Sequence, residues 1–226
     1  MHESRDTAAP AAPAHNAYEL IGSRGCGSAI VEAALRLAGV PYTLTDIPYL
    51  KPGPGRDRLL RLNASGQVPT MVLPDGSIMT ESAAMILHLH DVAPQAALVP
   101  PPGTAARSRF WNLLERLVGS VYPTFTYGDD PAKWVGPGAA ADLLRVKVHD
   151  RRALLWQEIE RQAGAPHVLG TYFSALDLYV AVMTRWRPGP AWFRSACPQL
   201  YAAAEVAALE PHLAAVLDRH FDPPLE

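Results

Sequence analysis

The chain has 226 residues, 49% hydrophobic and 19% charged, with 20 Lys+Arg against 22 Asp+Glu and a formal net charge of −2. This length suits one large domain or two small ones able to bury a core, and it excludes a wholly disordered chain. The balance of charge leaves no basic field to neutralise a phosphate backbone, so no nucleic-acid partner is expected.

Met1 to Asn16 is rich in Ala and Pro and lacks an apolar core segment, so residues 1–16 read as a flexible extension and not as a signal peptide. Tyr18 to Ser23 has the pattern of a short strand. Ala29, Ile30, Ala33, Ala34, Leu37 and Ala38 then recur at helical spacing, with Gly39 as a stop signal and Pro41 just beyond. Tyr42 to Ile47 alternates and completes a β-α-β unit with parallel strands. Pro52, Gly53, Pro54 and Gly55 make the next stretch irregular before a short basic helical run, Arg56 to Leu62. Val68 to Leu73 and Ser77 to Glu81 flank Pro74-Asp75-Gly76, which predicts a hairpin. A helix follows over Ala83–Val92, with Met85, Ile86 and Leu89 as its buried stripe.

A proline-rich link from Pro94 follows, and no strand-like alternation appears after it. Trp111, Leu114, Leu117 and Val118 share a helix face, and Leu143 to Ile159 forms a long amphipathic stretch. Leu176 to Trp186 is apolar on all sides and belongs at the centre of a helical unit, with a helix over Ala202–Leu217 outside it. Between two of these helices, Tyr122 to Gly128 interrupts the helical pattern with aromatics. Cys26 and Cys197 stand far apart without ligand spacing, so neither a disulfide framework nor a zinc site is suggested, and a reducing, cytoplasmic setting fits. His88 and His90 are two apart on a helix and face different ways, so no metal is expected. No apolar run reaches the ~20 residues of a membrane span, so no membrane partner is expected either.

Several segments resemble the cytosolic glutathione S-transferases, bacterial type, over essentially Tyr18 to Phe221. Asn63-Ala64-Ser65-Gly66-Gln67-Val68-Pro69-Thr70-Met71-Val72-Leu73 is similar to the family's Asn-Pro-x-Gly-x-Val-Pro-x-Leu segment, with Ala64 where proline is usual. Glu81-Ser82-Ala83-Ala84-Met85-Ile86 resembles its Glu-Ser-x-Ala-Ile segment, and Ser174-Ala175-Leu176-Asp177 its buried Ser-x-x-Asp cap. The resemblance implies an α/β plus all-α architecture: a thioredoxin-like, glutathione-binding domain over 17–93, a linker over 94–104 and an all-helical domain over 105–226. It implies glutathione as co-substrate, a small hydrophobic electrophile as the second substrate, and a homodimer.

The residues carry their own reasons. A strand-opening proline leaves the preceding backbone groups available to a peptide, particularly when its peptide bond is cis. The resemblance gives Val68, before Pro69, the pairing with the cysteinyl backbone of glutathione. Ser82 stands at a strand-to-helix change, a natural N-cap whose neighbouring free amides suit a carboxylate. The resemblance assigns Ser82 and Glu81 to the γ-glutamyl end, with Gln67 and Lys51 as weaker anchors. Tyr122, Phe125, Tyr127 and Trp134 fall where the family places its hydrophobic pocket. Ser174 and Asp177 read as a capping box with a folding role, Phe173 stapling on Leu178.

The sulfur-activating position departs from the family. Counting back from Gly39, the usual serine or cysteine falls on Gly25 in some classes and on Gly27 in another. Between them lies Cys26, where a helix mouth and Arg24 would lower a thiol pKa. Ser28, otherwise the cap of the first helix, is the second candidate. Ser23 is the third, and main-chain amides alone are the remaining option. Three functions follow from these alternatives: a glutathione transferase, a glutathione-dependent thiol reductase using Cys26, and a non-catalytic binding protein of the same fold.

Overall fold

A computed structural model describes residues 17–222. The expected extension over 1–16 lies outside the described residues. Strands β1 (Tyr18–Gly22) and β2 (Tyr42–Asp46) are parallel and joined by helix α1 (Ser28–Ala38), because a parallel pair needs a crossover connection. After α2 (Pro54–Leu62), β3 (Thr70–Val72) runs antiparallel to β1 and forms a hairpin with β4 (Ile78–Met79). The sheet order is β2-β1-β3-β4. Helix α3 (Ser82–Val92) closes this half. It is the thioredoxin-like arrangement that the motifs imply.

The strand residues point alternately to two faces. Leu20 and Met71 join the main core with α1 and α3, whereas Ile21 meets Ile47 and Leu59 in a small cluster under α2. Helix α1 is alanine-rich, and Ser28 through Leu35 are all buried, so it fits closely between the sheet and the helical half.

The second half is helical throughout: α4 (Ala105–Arg116), α5 (Tyr122–Asp129), α6 (Ala132–Val135), α7 (Ala139–Glu160), α8 (Ala175–Met183), α9 (Pro190–Ala196), α10 (Pro198–Ala207) and α11 (Pro211–Phe221). All nine residues of α8 are buried, and it packs against α10 and α1, as its uniform apolarity predicts. Asp177 anchors its start. Its carboxylate accepts from the Ser174 amide at 2.8 Å and the Val168 amide at 3.0 Å.

Two expectations are corrected. Tyr122 to Gly128 does not interrupt the helix: α4 runs through a π-type turn, Leu117–Val121, directly into α5. The wide turn accommodates Pro123, which has no amide to donate. The expected helix over Ala202–Leu217 is two helices, α10 and α11, bent by 104°. Pro211 starts the second, where its missing amide costs nothing, and Glu210 caps it by accepting from the Leu213 amide at 2.8 Å.

The sequence pattern also concealed a buried cation. Arg152 on α7 is 2% exposed, lies 3.8 Å from the centre of the Phe125 ring, and donates to the hydroxyl and carbonyl oxygens of Thr124 at 2.9 and 2.7 Å. Burial pulls its pKa down to about 10. No single helix among the described residues is long and apolar enough to cross a membrane.

Candidate functional site

The loop between β1 and α1 carries the sulfur-activating candidates, and the structure explains its two glycines. Gly25 has φ +74°, a conformation that side chains other than glycine rarely adopt. A Cβ on Gly27 would lie 2.6 Å from the Tyr122 hydroxyl, inside contact distance. A side chain at Gly25 would strain the backbone, and one at Gly27 would have to displace the Tyr122 ring. Cys26, between them, is half-buried and free.

The electrostatics of Cys26 reverse the expectation for it. Burial pushes its thiol above the ordinary value, outweighing the nearby hydroxyls of Tyr49 and Ser23, and Asp129 and Asp46 push the same way. Arg24 reaches toward the end of the chain. Its guanidinium donates to the carbonyls of Arg219 and Asp222, at 3.1 and 2.9 Å, at the end of α11. Cys26 is a neutral thiol near pH 7. Tyr49, which sequence reasoning missed, sits beside it, and burial together with Cys26 raises its phenol to about 12. Its only sequence signal was an aromatic in the irregular segment after β2.

Ser28 is not the helix cap. It lies inside α1, fully buried, with Gly27 as the flanking residue. Its Oγ donates to the Ser23 carbonyl at 3.0 Å and accepts from the Ser23 amide at 3.2 Å, closing the loop on itself. This occupied hydroxyl is a structural clasp.

The loop is also held from the helical half. The Gly25 amide donates to His220 Nδ1 at 3.1 Å, and the Gly25 carbonyl accepts from Trp186 Nε1 at 2.8 Å. His220 Nε2 lies 2.9 Å from Glu32 Oε2, to which Arg219 also donates at 2.9 Å. Burial alone would raise the Glu32 carboxyl, but His220 and Arg219 together bring it below its usual 4.5. A depressed folded value means the unfolded chain takes up the proton first. The stabilisation by Glu32 is thus complete above about pH 4.5 and is lost as pH falls through the folded value. Glu32→Gln should lose less stability than the wild type between pH 6 and pH 3, in denaturant titrations across about that range.

β3 begins opposite the end of β1, with Thr70 facing Ile21, so the chain before it, at Val68, approaches the loop after β1. The Val68–Pro69 peptide bond is cis. Val68 is half-buried, while Gln67 is exposed and its carbonyl accepts from Asn63 Nδ2 at 3.2 Å and Thr70 Oγ1 at 3.0 Å. Lys51 is exposed in the loop before α2.

Ser82 is the first residue of α3, with extended Glu81 before it, and its side chain does not cap the helix. Its Oγ instead shares a hydrogen bond with Tyr179 Oη of α8 at 2.8 Å. Tyr122 stands edge-on to Tyr179 and also to Trp186, with ring centres 6.2 and 5.7 Å apart. Its buried hydroxyl lies close to Ser82 but meets no partner at hydrogen-bond distance. Burial raises this phenol well above its usual value. Tyr122→Phe should therefore raise stability by about 1 kcal/mol, seen as a higher urea midpoint at unchanged slope. A fall of that size would show that the hydroxyl is satisfied.

The four aromatics predicted to act together separate into two pairs. Phe125 joins Tyr122 on Trp186, at 5.2 Å between ring centres. Tyr127 meets Trp134 edge-on, with ring centres 4.8 Å apart, and both are exposed. His88 accepts or donates at 3.0 Å with the Tyr18 hydroxyl, and among the described residues no group of three or more acidic, His or Cys side chains is placed to hold a metal.

Residues 28–92 match the family described as glutathione S-transferase, N-terminal domain. An uncharacterised GST-like protein of Escherichia coli K12, YncG, is 37% identical over 204 residues, 89% of this chain and 98% of that protein. A sphingomonad glutathione S-transferase complexed with glutathione superposes with TM-score 0.70 at 26% identity, covering 88% of this chain and 97% of that one. A glutathione transferase homologue from Sulfitobacter with bound glutathione has the same fold, with TM-score 0.77 at 24% identity over 90% of this chain and 98% of its own.

Proposed function

Because the chain belongs to the cytosolic glutathione S-transferase superfamily, bacterial type, we propose that it binds glutathione and joins the glutathione sulfur to a small hydrophobic electrophile. The observation that carries this reading is the antiparallel pairing of β3 with β1, which brings the chain before β3, at Val68, toward the loop after β1 that carries Cys26. It leaves a strand edge on which a peptide can lie with its thiol toward Cys26.

In this reading the Val68 backbone pairs with the cysteinyl residue of glutathione. Ser82 and the first amides of α3 take the γ-glutamyl carboxylate, and Glu81 meets the amino group. Gln67 and Lys51 flank the ligand, Lys51 toward the glycyl carboxylate. The neutral Cys26 thiol and the Tyr49 hydroxyl face the glutathione sulfur as donors. The sulfur loses its proton to water, the thiolate attacks the electrophilic carbon, a C–S bond forms, and the leaving group departs with its electron pair. Tyr122 and Phe125, with Tyr127 at the outer edge, hold the electrophile beside it, so proximity supplies much of the rate.

The raised Cys26 pKa favours transfer over thiol reduction, because a neutral thiol is a poor attacking group for a disulfide. A second copy of the chain is the proposed partner, checked by light scattering, and a cytoplasmic setting suits two free cysteines. The test is glutathione conjugation of a nitro-activated aryl chloride beside reduction of a small mixed disulfide, with glutathione binding by calorimetry. Conjugation exceeding reduction is expected. Reduction alone would transfer the role to the reductase reading, and binding without either activity would make this a binding protein.

A further inference from the structure

The geometry points to His220 as a positioning residue that sets the Cys26 loop from the far end of the chain. This rests on the reading above, in which that loop faces the glutathione sulfur. A backbone amide can only donate, so the Gly25 N–H at 3.1 Å requires an unprotonated Nδ1 on His220. The proton of the neutral ring is then on Nε2, directed at Glu32 Oε2 at 2.9 Å. His220 and Glu32 are 0% and 1% exposed, so neither contact is exchanged with water.

The groups facing this imidazole come from several elements. Glu32 is on α1, Arg219 lies beside it on α11 with Nη2 3.1 Å from Nε2, and Asp46 of β2 holds Arg219 in turn. Trp186 binds the Gly25 carbonyl from beyond α8. Both backbone groups of Gly25 are thus fixed by the helical half, one residue before the thiol. A buried carboxylate orients an imidazole, and the imidazole orients a glycine in a left-handed conformation that other residues rarely adopt. Without the Nδ1 acceptor, the half-buried Gly25 amide loses its partner in the protein, and the loop moves to pair it with water.

The test uses the full chain and reads the rate at which iodoacetamide alkylates Cys26, followed on the Cys26 peptide so that Cys197 does not contribute. It is run beside glutathione conjugation for the wild type, His220→Ala and His220→Asn. The Asn side-chain oxygen reaches the place of Nδ1 and can accept from Gly25. His220→Ala is expected to speed alkylation and to slow conjugation, each about tenfold, as displacement of a reacting group does. His220→Asn should stay near the wild type in both. A folded His220→Ala with wild-type rates overturns the proposal, as does an Ala effect that Asn fails to relieve. If His220→Ala does not accumulate as folded protein, His220→Gln, whose amide reaches toward Nε2 instead, takes its place under the same criteria. Nitrogen-15 spectra of the histidines in the wild type supply a measurement that needs no variant: an Nε2–H tautomer for His220 is expected, and Nδ1–H overturns the proposal. Alkylation requires no glutathione. His220-dependent alkylation in a protein without glutathione chemistry would therefore sink the transferase reading alone.

Discussion

Cys26→Ala is expected to lower glutathione conjugation by about 10²-fold, the usual cost of removing one donor aimed at a charge that develops during reaction. Cys26→Ser should fall between the two, because a hydroxyl donates in place of the thiol. Stability should change by no more than about 0.5 kcal/mol, since Cys26 is a small, half-buried side chain. The pH dependence sharpens the prediction. Burial holds the thiol above its ordinary value of 9.0, so Cys26 stays predominantly protonated between pH 6 and pH 8. Its alkylation in the wild type should therefore stay slow over that range. Fast alkylation at pH 7 would overturn the neutral-thiol role and favour disulfide exchange. Conjugation unchanged in Cys26→Ala would leave the Tyr49 hydroxyl or the loop amides as the activating groups.

Asp177→Ala should produce the largest loss of stability, about 3 kcal/mol or more. The carboxylate is fully buried and accepts from two amides, Ser174 and Val168, while His167 Nδ1 lies 3.4 Å away. Removing it leaves two buried donors unpaired at the start of α8, the helix around which the helical half packs. The effect extends beyond a local cap because Val168 belongs to the segment between α7 and α8. Urea unfolding should show a lower midpoint, and soluble yield should fall, while glutathione affinity of the folded fraction stays near that of the wild type. A loss below about 0.5 kcal/mol would contradict this account.

The parts of the site that were legible share one property: their partners are near in sequence. Ser174 and Asp177 are three residues apart, and the capping box forms. Val68 and Pro69 are adjacent, and their peptide bond is cis. Ser82 was placed at the start of α3 correctly but assigned the wrong bond, because its hydroxyl partner, Tyr179, lies 97 residues away on a helix of the other half. Ser28 was misread for a related reason. A serine before an apolar helix is usually a cap, but here the helix begins at Ser28 itself and its hydroxyl turns back to Ser23. Tyr122 stands in a segment whose aromatics interrupt the helical pattern of the sequence, and only the structure shows α4 continuing through the π-type turn into α5.

From local pattern alone, the chain declares its strand-helix-strand start, its hairpin, its helical second half and the central place of α8. Apolar spacing, turn residues and caps act over a few positions, and the hydrophobic effect then leaves few ways to bury the resulting faces. The state of the Cys26 thiol was decided elsewhere. A lone cysteine between two glycines at a helix mouth suggested a depressed pKa, but desolvation by the surrounding protein and the carboxylates of Asp46 and Asp129 act the other way. The two glycines likewise acquire their meaning from distant residues. Gly27 is required by the Tyr122 hydroxyl, and Gly25 is held between His220 and Trp186. Burial and long-range hydrogen bonding depend on which surfaces meet after folding, so only the tertiary structure could determine the chemistry of this loop.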